Sequence, residues 1–187
     1  MSALPAVVGL PSSADAYIRH GWKLCHVPDG GKGPQHAGWN KIENALTEAP
    51  QQGGIGLMHG YSGTVALDID NYDAAVTWLK ERGIDLPALM SAPNAVGIDS
   101  GNPGHGKLLF LSPVPLPTKK VLVDGKTVLE FRCGSMNGLS MQDVLPPSRH
   151  PSGTTYRWVG SGNWQQLPVM PDNLFGVWSD LLSADAE

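Results

Sequence analysis

Val65-Ala-Leu-Asp68-Ile-Asp70 sets aliphatic residues around two acids spaced two apart. A strand alternates its faces with period two, so both carboxylates project from one face, a few ångströms from each other. Like charges that close either share a proton or hold a cation. Mg²⁺ suits such a pair, because it takes one or two carboxylates and completes its shell with phosphate oxygens. The same acids also read as strand-edge or helix-capping groups, since a helix over 73–82, closed by Gly83, follows them.

Upstream, Ser12 or Ser13 caps a short helix running to about His20 and stopped by Gly21, and Trp22, Leu24 and His26 alternate as a strand. A loop rich in Gly and Pro, Pro28-Asp-Gly-Gly-Lys-Gly-Pro34, leads to Gly38-Trp39-Asn40, where Asn40 caps a helix over 41–48 that Pro50 ends. Ile55–Met58 and Thr64–Ile69 are short apolar runs with strand character. Downstream, Lys107–Leu111 is a compact strand. Val121–Val123 and Thr127–Arg132 flank Asp124-Gly125, a strong hairpin signal. Leu139–Leu145 and Thr155–Val159 add strands. Leu174, Val177, Trp178, Leu181 and Leu182 recur at helical spacing and predict an amphipathic helix docking on the core. The grammar is mixed α and β.

Length and composition narrow the class. The 187 residues suit one domain, or one with a small lobe. With 23 Gly and 16 Pro the chain is loop-rich, yet below the level of a disordered one. No apolar stretch reaches the ~18–20 residues of a membrane span, and the N-terminus lacks the basic start of a secretory signal. Cys25 and Cys133 alone exclude a disulfide scaffold and fit a reducing cytoplasm. The net charge of −4 argues at first against a nucleic-acid partner. However, Asp172, Asp180, Asp185 and Glu187 lie in a stretch with no Lys or Arg, so residues 1–170 are neutral. Divalent ions on their carboxylates would turn that body positive.

Three further elements carry chemistry. On the hairpin strand, Thr127, Leu129 and Phe131 form an apolar face, so Val128, Glu130 and Arg132 point the other way together. Glu130 beside Arg132 is either a surface salt bridge or a third metal ligand next to a guanidinium suited to gripping phosphate. Asp99-Ser-Gly-Asn-Pro-Gly-His105-Gly-Lys107 is a Gly-rich turn before a strand, able to offer backbone N–H groups to an anion, but it is not a Walker loop. Pro146-Pro-Ser148-Arg-His150-Pro-Ser-Gly153, closing on Tyr156-Arg-Trp158, combines a stiff loop with phosphate donors and stacking planes. Cys25-His26 lacks the second pair a zinc site needs. His20 and His59 read as capping, surface or core residues, and no Gly-x-Ser-x-Gly elbow is present.

In this order the elements resemble the N-terminal catalytic domain of bifunctional DNA primase–polymerases, the plasmid and phage branch of the archaeo-eukaryotic primase superfamily. The resemblance spans Gly21–Pro28, Gly31-Lys32-Gly-Pro34, Gly38-Trp39, Gly54-Ile-Gly56, Leu67-Asp68-Ile-Asp70, Ser100–Gly104, Leu129-Glu130-Phe-Arg132 and Leu145–Gly153. It implies an α/β (α+β) primase-like fold, with an RRM-like antiparallel sheet beside a small N-terminal α/β lobe, the lobes being about 1–64 and 65–187. It implies Asp68, Asp70 and Glu130 as catalytic ligands of two Mg²⁺ or Mn²⁺ ions. Arg132, Ser148 and His150 would then contact the incoming triphosphate, with Lys32 as a further nucleotide or template contact. The family's His before the strand falls on Lys107, with His105 two residues earlier as the other candidate.

The resemblance further implies two-metal, template-dependent DNA polymerase and primer synthesis in plasmid or phage replication. The partners would be single-stranded DNA template, primer and dNTP or NTP, in the cytoplasm of a bacterial, archaeal or phage-infected cell. A helicase or helical domain is expected beyond the chain's end. A metal-dependent nuclease or phosphodiesterase, and a non-catalytic nucleic-acid-binding replication module, are the other readings.

Overall fold

The computed structural model describes residues 7–186. Among them α1 (Leu10–His20) buries Leu10, Ala14 and Tyr17 on one stripe and stops at Gly21, whose φ of 101° a glycine adopts without strain. It begins ahead of the expected Ser12 and Ser13. Pro11 sits in the first turn, where its missing N–H costs nothing, and Gly9 takes the N-cap position while Ser12 donates back to its carbonyl.

The strands and helices that follow are β1 (Leu24–Val27), β2 (Gly54–Met58), α2 (His59–Ser62), β3 (Thr64–Ile69) and α3 (Tyr72–Lys80). Next come α4 (Leu86–Ser91), β4 (Gly97–Asp99), β5 (Gly106–Leu111), β6 (Lys119–Val123), β7 (Lys126–Arg132), β8 (Gln142–Val144), β9 (Arg157–Val159) and α5 (Asp172–Asp185). The architecture is mixed α/β, with two antiparallel sheets in the orders β1-β2-β8 and β6-β7-β3-β5-β4-β9. Because β8 pairs with β2, the small sheet crosses the expected lobe boundary at residues 64 and 65.

Several local expectations change. The helix over 41–48 reduces to a single 3₁₀ turn at Ile42–Asn44, all of it exposed. Leu46 instead packs on the core and donates its N–H to the Leu24 carbonyl, an extended contact that ends the turn, while Ile42 stays exposed. Leu139–Leu145 and Thr155–Val159 shorten to β8 and β9. Segments α4 and β4 have little sequence signature. Pro87 lies in the first turn of α4, where Asp85 caps Ala88 N–H, and β4 has only three residues. Asp124 and Gly125 both have positive φ, as a two-residue hairpin turn of the primed kind requires.

Period-two alternation places the site. Val65, Leu67 and Ile69 of β3, with Leu108, Phe110, Leu129 and Phe131, pack under α3, α4 and α5. Trp178 of α5 stacks on Phe131 with ring centroids 5.6 Å apart, so the C-terminal helix docks on the core as its periodicity predicts. The opposite face of β3 carries Ala66, Asp68 and, just past its end, Asp70. Val128 leaves the alternation and is buried, because the β6–β7 register skips it at a bulge.

Candidate active site

Asp68 sits at the centre of the six-stranded sheet. In register it faces Lys107 of β5 on one side and Glu130 of β7 on the other. Directly opposed residues on neighbouring strands share a face, so the three side chains and Arg132 project toward the small sheet. There β8 supplies Asp143, and a cleft of about 290 Å³ opens between the sheets.

Asp143 organises the buried end of the cleft. One carboxylate oxygen accepts from Lys107 Nζ at 2.6 Å; the other accepts from His59 Nε2 at 2.7 Å and Arg132 Nε at 3.2 Å. Burial pushes the Asp143 carboxyl up, but Lys107, Arg132 and the His59 hydrogen bond outweigh it and hold the group well below the usual carboxylate range. Burial lowers the pKa of Lys107, yet Asp143 and Asp68 more than compensate, so its ammonium is held charged.

His59 is fully buried between Asp143 and the Thr64 hydroxyl, 2.8 Å from its Nδ1. Burial lowers its pKa below the ordinary histidine value against the pull of Asp143, giving the neutral ring with Nε2–H donated to Asp143. The unfolded chain then binds a proton on His59 below about pH 6.5 that the folded chain refuses. Stability therefore falls as pH drops through that value, by up to roughly 1.4 kcal/mol per pH unit from this group. Urea melts at pH 7.5 and 5.5 should show a shallower pH dependence in His59→Gln than in wild type.

Asp68 is differently placed. Burial, the largest cause, and the nearby Asp143 and Asp70 push its carboxyl up to about 6, although Lys107 Nζ lies 4.0 Å away and opposes the shift. Lys107 is spent mainly on Asp143, which leaves Asp68 under-neutralised beside Asp70 at the cleft wall. That donor set fits a divalent cation completed by phosphate or water oxygens. Glu130 is in register with Asp68 but its Oε1 accepts from Arg132 Nη1 at 2.9 Å. Among the described residues no three acid, His or Cys side chains already converge as a metal cage.

The remaining residues separate into those at the cleft and those behind it. Lys32, His105, Lys107, Arg132 and His150 line it. The Lys32 loop is tethered by Gln142 Nε2, which donates to the Lys32 carbonyl at 3.2 Å. Arg132 donates from all three nitrogens to Asp143, Glu130 and the Gln142 carbonyl, so most of its fork braces the site. His150 Nδ1 accepts from Ser152 N–H at 3.1 Å, which assigns its proton to Nε2. Burial, with Lys32 and Lys107, lowers its pKa.

Ser148 departs from the expected triphosphate contact. It is buried behind the cleft, where its Oγ accepts from Ile55 N–H at 3.0 Å and pins the Pro-Pro loop to β2. Gly54 permits this, since a Cβ there would come within 2.9 Å of the serine.

Asp143 and His59 escape a reading by motif. The available signal is a single acid inside the strand-like stretch 139–145, which a buried strand tolerates only when cations meet it.

The family model for the bifunctional DNA primase/polymerase N-terminal domain matches residues 14–173. No curated protein matches the chain. No helix among the described residues is long and apolar enough to cross a membrane. The family match covers most of the sequence, and the acid-bearing face of β3 with its flanking basic residues lies wholly inside it. The chain therefore belongs to the bifunctional DNA primase/polymerase N-terminal domain family.

Proposed function

We infer that the cleft performs template-dependent nucleotidyl transfer, extending a primer on single-stranded DNA from deoxy- or ribonucleoside triphosphates. The observation that carries this reading is the paired, under-neutralised Asp68 and Asp70 facing a cleft with Lys32, Lys107 and Arg132 around it. Asp68 and Asp70 would hold Mg²⁺ or Mn²⁺, and Glu130 would join them once released from Arg132. When bound, the ions supply charge neutralisation at the triphosphate and acidify the attacking hydroxyl.

The chain's own residues bind and orient. Lys107 is braced by Asp143 and presents a fixed positive charge beside Asp68. Lys32, His105 and His150 are drawn from three separate loops and close around an anionic ligand. Charge-assisted donors of this kind suit the polyphosphate of a nucleotide.

Purified chain incubated with single-stranded template, dNTPs or NTPs and Mg²⁺ or Mn²⁺, with and without annealed primer, tests the reading by product length on a denaturing gel. Template-directed extension supports it, and products without primer add priming. A shortened template would instead indicate a nuclease. A folded chain that binds DNA but makes no product would indicate a binding module.

A further inference from the structure

Beyond the acid-lined cleft, Trp158 of β9 and Trp164 lie nearly parallel, 17° between planes and 6.4 Å between centroids. Both border two hollows. One, of about 580 Å³, is bounded by Asn94, Ser161, Asn163 and Gln166; the other, of about 520 Å³, runs past Tyr17 and Pro146 to Tyr156. Tyr156, itself buried, lines the catalytic cleft as well, so the cleft and the second hollow share a wall.

A packing role explains only part of this arrangement. Trp22 and Tyr17 are buried beneath the pair, and Trp158 Nε1 donates to Tyr17 OH at 2.9 Å. Trp158 and Trp164 are only half-buried and carry apolar faces to the rim of open hollows. His20 stands edge-on to Trp164 with ring centroids 5.2 Å apart. The neighbouring wall is backbone pressed on backbone: a Cβ at Gly160 would overlap the Ala95 carbonyl, and one at Gly162 the Asn94 carbonyl. The platform is therefore preformed, with amide and hydroxyl side chains around it, exposed Arg19 on α1, and Arg157 of β9 paired with Asp99 at its edge.

Flat apolar faces ringed by hydrogen-bonding groups suit unpaired nucleobases, which stack without regard to sequence. We propose that Trp158 and Trp164 form a stacking subsite for bases of single-stranded DNA passing beside the catalytic cleft. The proposal rests on the reading of that cleft as a polymerase site. Its occupant is argued from the Tyr156 wall shared with the cleft and from the amide and hydroxyl groups that ring the two tryptophans.

The test measures binding of a labelled oligothymidylate of about fifteen nucleotides by fluorescence anisotropy, together with quenching of tryptophan emission by the unlabelled strand. Trp164→Ala should weaken binding about ten-fold, while Trp164→Phe stays within about three-fold of wild type. Gln166→Glu places a negative charge on the exposed rim and should weaken binding without touching the core. If Trp164→Ala does not fold, Trp164→Phe and Gln166→Glu decide together with wild-type quenching. Wild-type affinity in both Trp164→Ala and Gln166→Glu, or binding that leaves tryptophan emission unchanged, overturns the subsite. Quenching by DNA in a chain that makes no product would remove the polymerase reading and leave the subsite standing. Normal synthesis with unaltered DNA binding in these variants would do the reverse.

Discussion

If the cleft is the proposed polymerase site, replacing both Asp68 and Asp70 by Asn should reduce template-directed synthesis by about 10³-fold or more, because the cleft loses the carboxylates on which a divalent ion would sit. The fold survives this change. Asp68 carries a carboxyl pushed up to about 6, so it is ionised at pH 8 but at a cost in stability to the folded chain. A neutral amide of the same shape removes that cost, and Lys107 keeps its shorter contact to Asp143. The double variant should melt at or above the wild-type temperature at pH 8 while its gel lanes stay empty. Residual synthesis within ten-fold of wild type would show that these acids are not the catalytic pair. Equal losses of activity and melting temperature would reassign them to structure.

The opposite pattern is expected of Asp143. Asp143→Ala strips the common acceptor from Lys107, Arg132 and His59 at once, leaving as counter-charge only the 4.0 Å contact to Asp68 for Lys107 and only Glu130 for Arg132. Breaking a buried ion pair from one side costs about 3–5 kcal/mol. A domain of this size loses roughly 2–4 °C of melting temperature per kcal/mol, so a drop of about 10 °C is expected. Asp143→Asn retains an acceptor oxygen and should fall between the two. A calorimetric shift of less than about 2 °C for the alanine variant would mean that Asp68, Glu130 and water suffice to hold the two cations.

These three acids also mark how far the sequence is legible. Asp68 and Asp70 can be paired by eye because period two is a local rule, and the same rule turns Glu130 and Arg132 toward them. Asp143 obeys no local rule, because its partners lie 36 residues away at Lys107 and 84 away at His59. The alternation around Arg132 gives its direction but not that its donors are occupied by three protein acceptors. Ser148 sits in a phosphate-binding pattern, yet its direction is decided by the missing side chain at Gly54 on another strand. The helix expected over 41–48 had a cap and a stop, but Leu46 donates its N–H to Leu24 on β1, a distant partner that no local pattern reveals. The hairpin at Asp124-Gly125 and the docking helix α5 were legible because turn chemistry and helical period each determine an element without distant help.

The crossing of β8 onto β2 bears on how the chain is made. Ile55 N–H waits for a hydroxyl 93 residues further along, and the Gly56–Val144 pairing is of similar span. A nascent chain leaving the ribosome can form α1 and the β1–β2 hairpin early, but the edge of β2 stays open until residues 142–144 emerge. Contacts of such sequence separation are slow to close, and an open strand edge is sticky while it waits. Translation that pauses between β3 and β8 would therefore prolong the interval in which the unfinished small sheet is exposed to other chains.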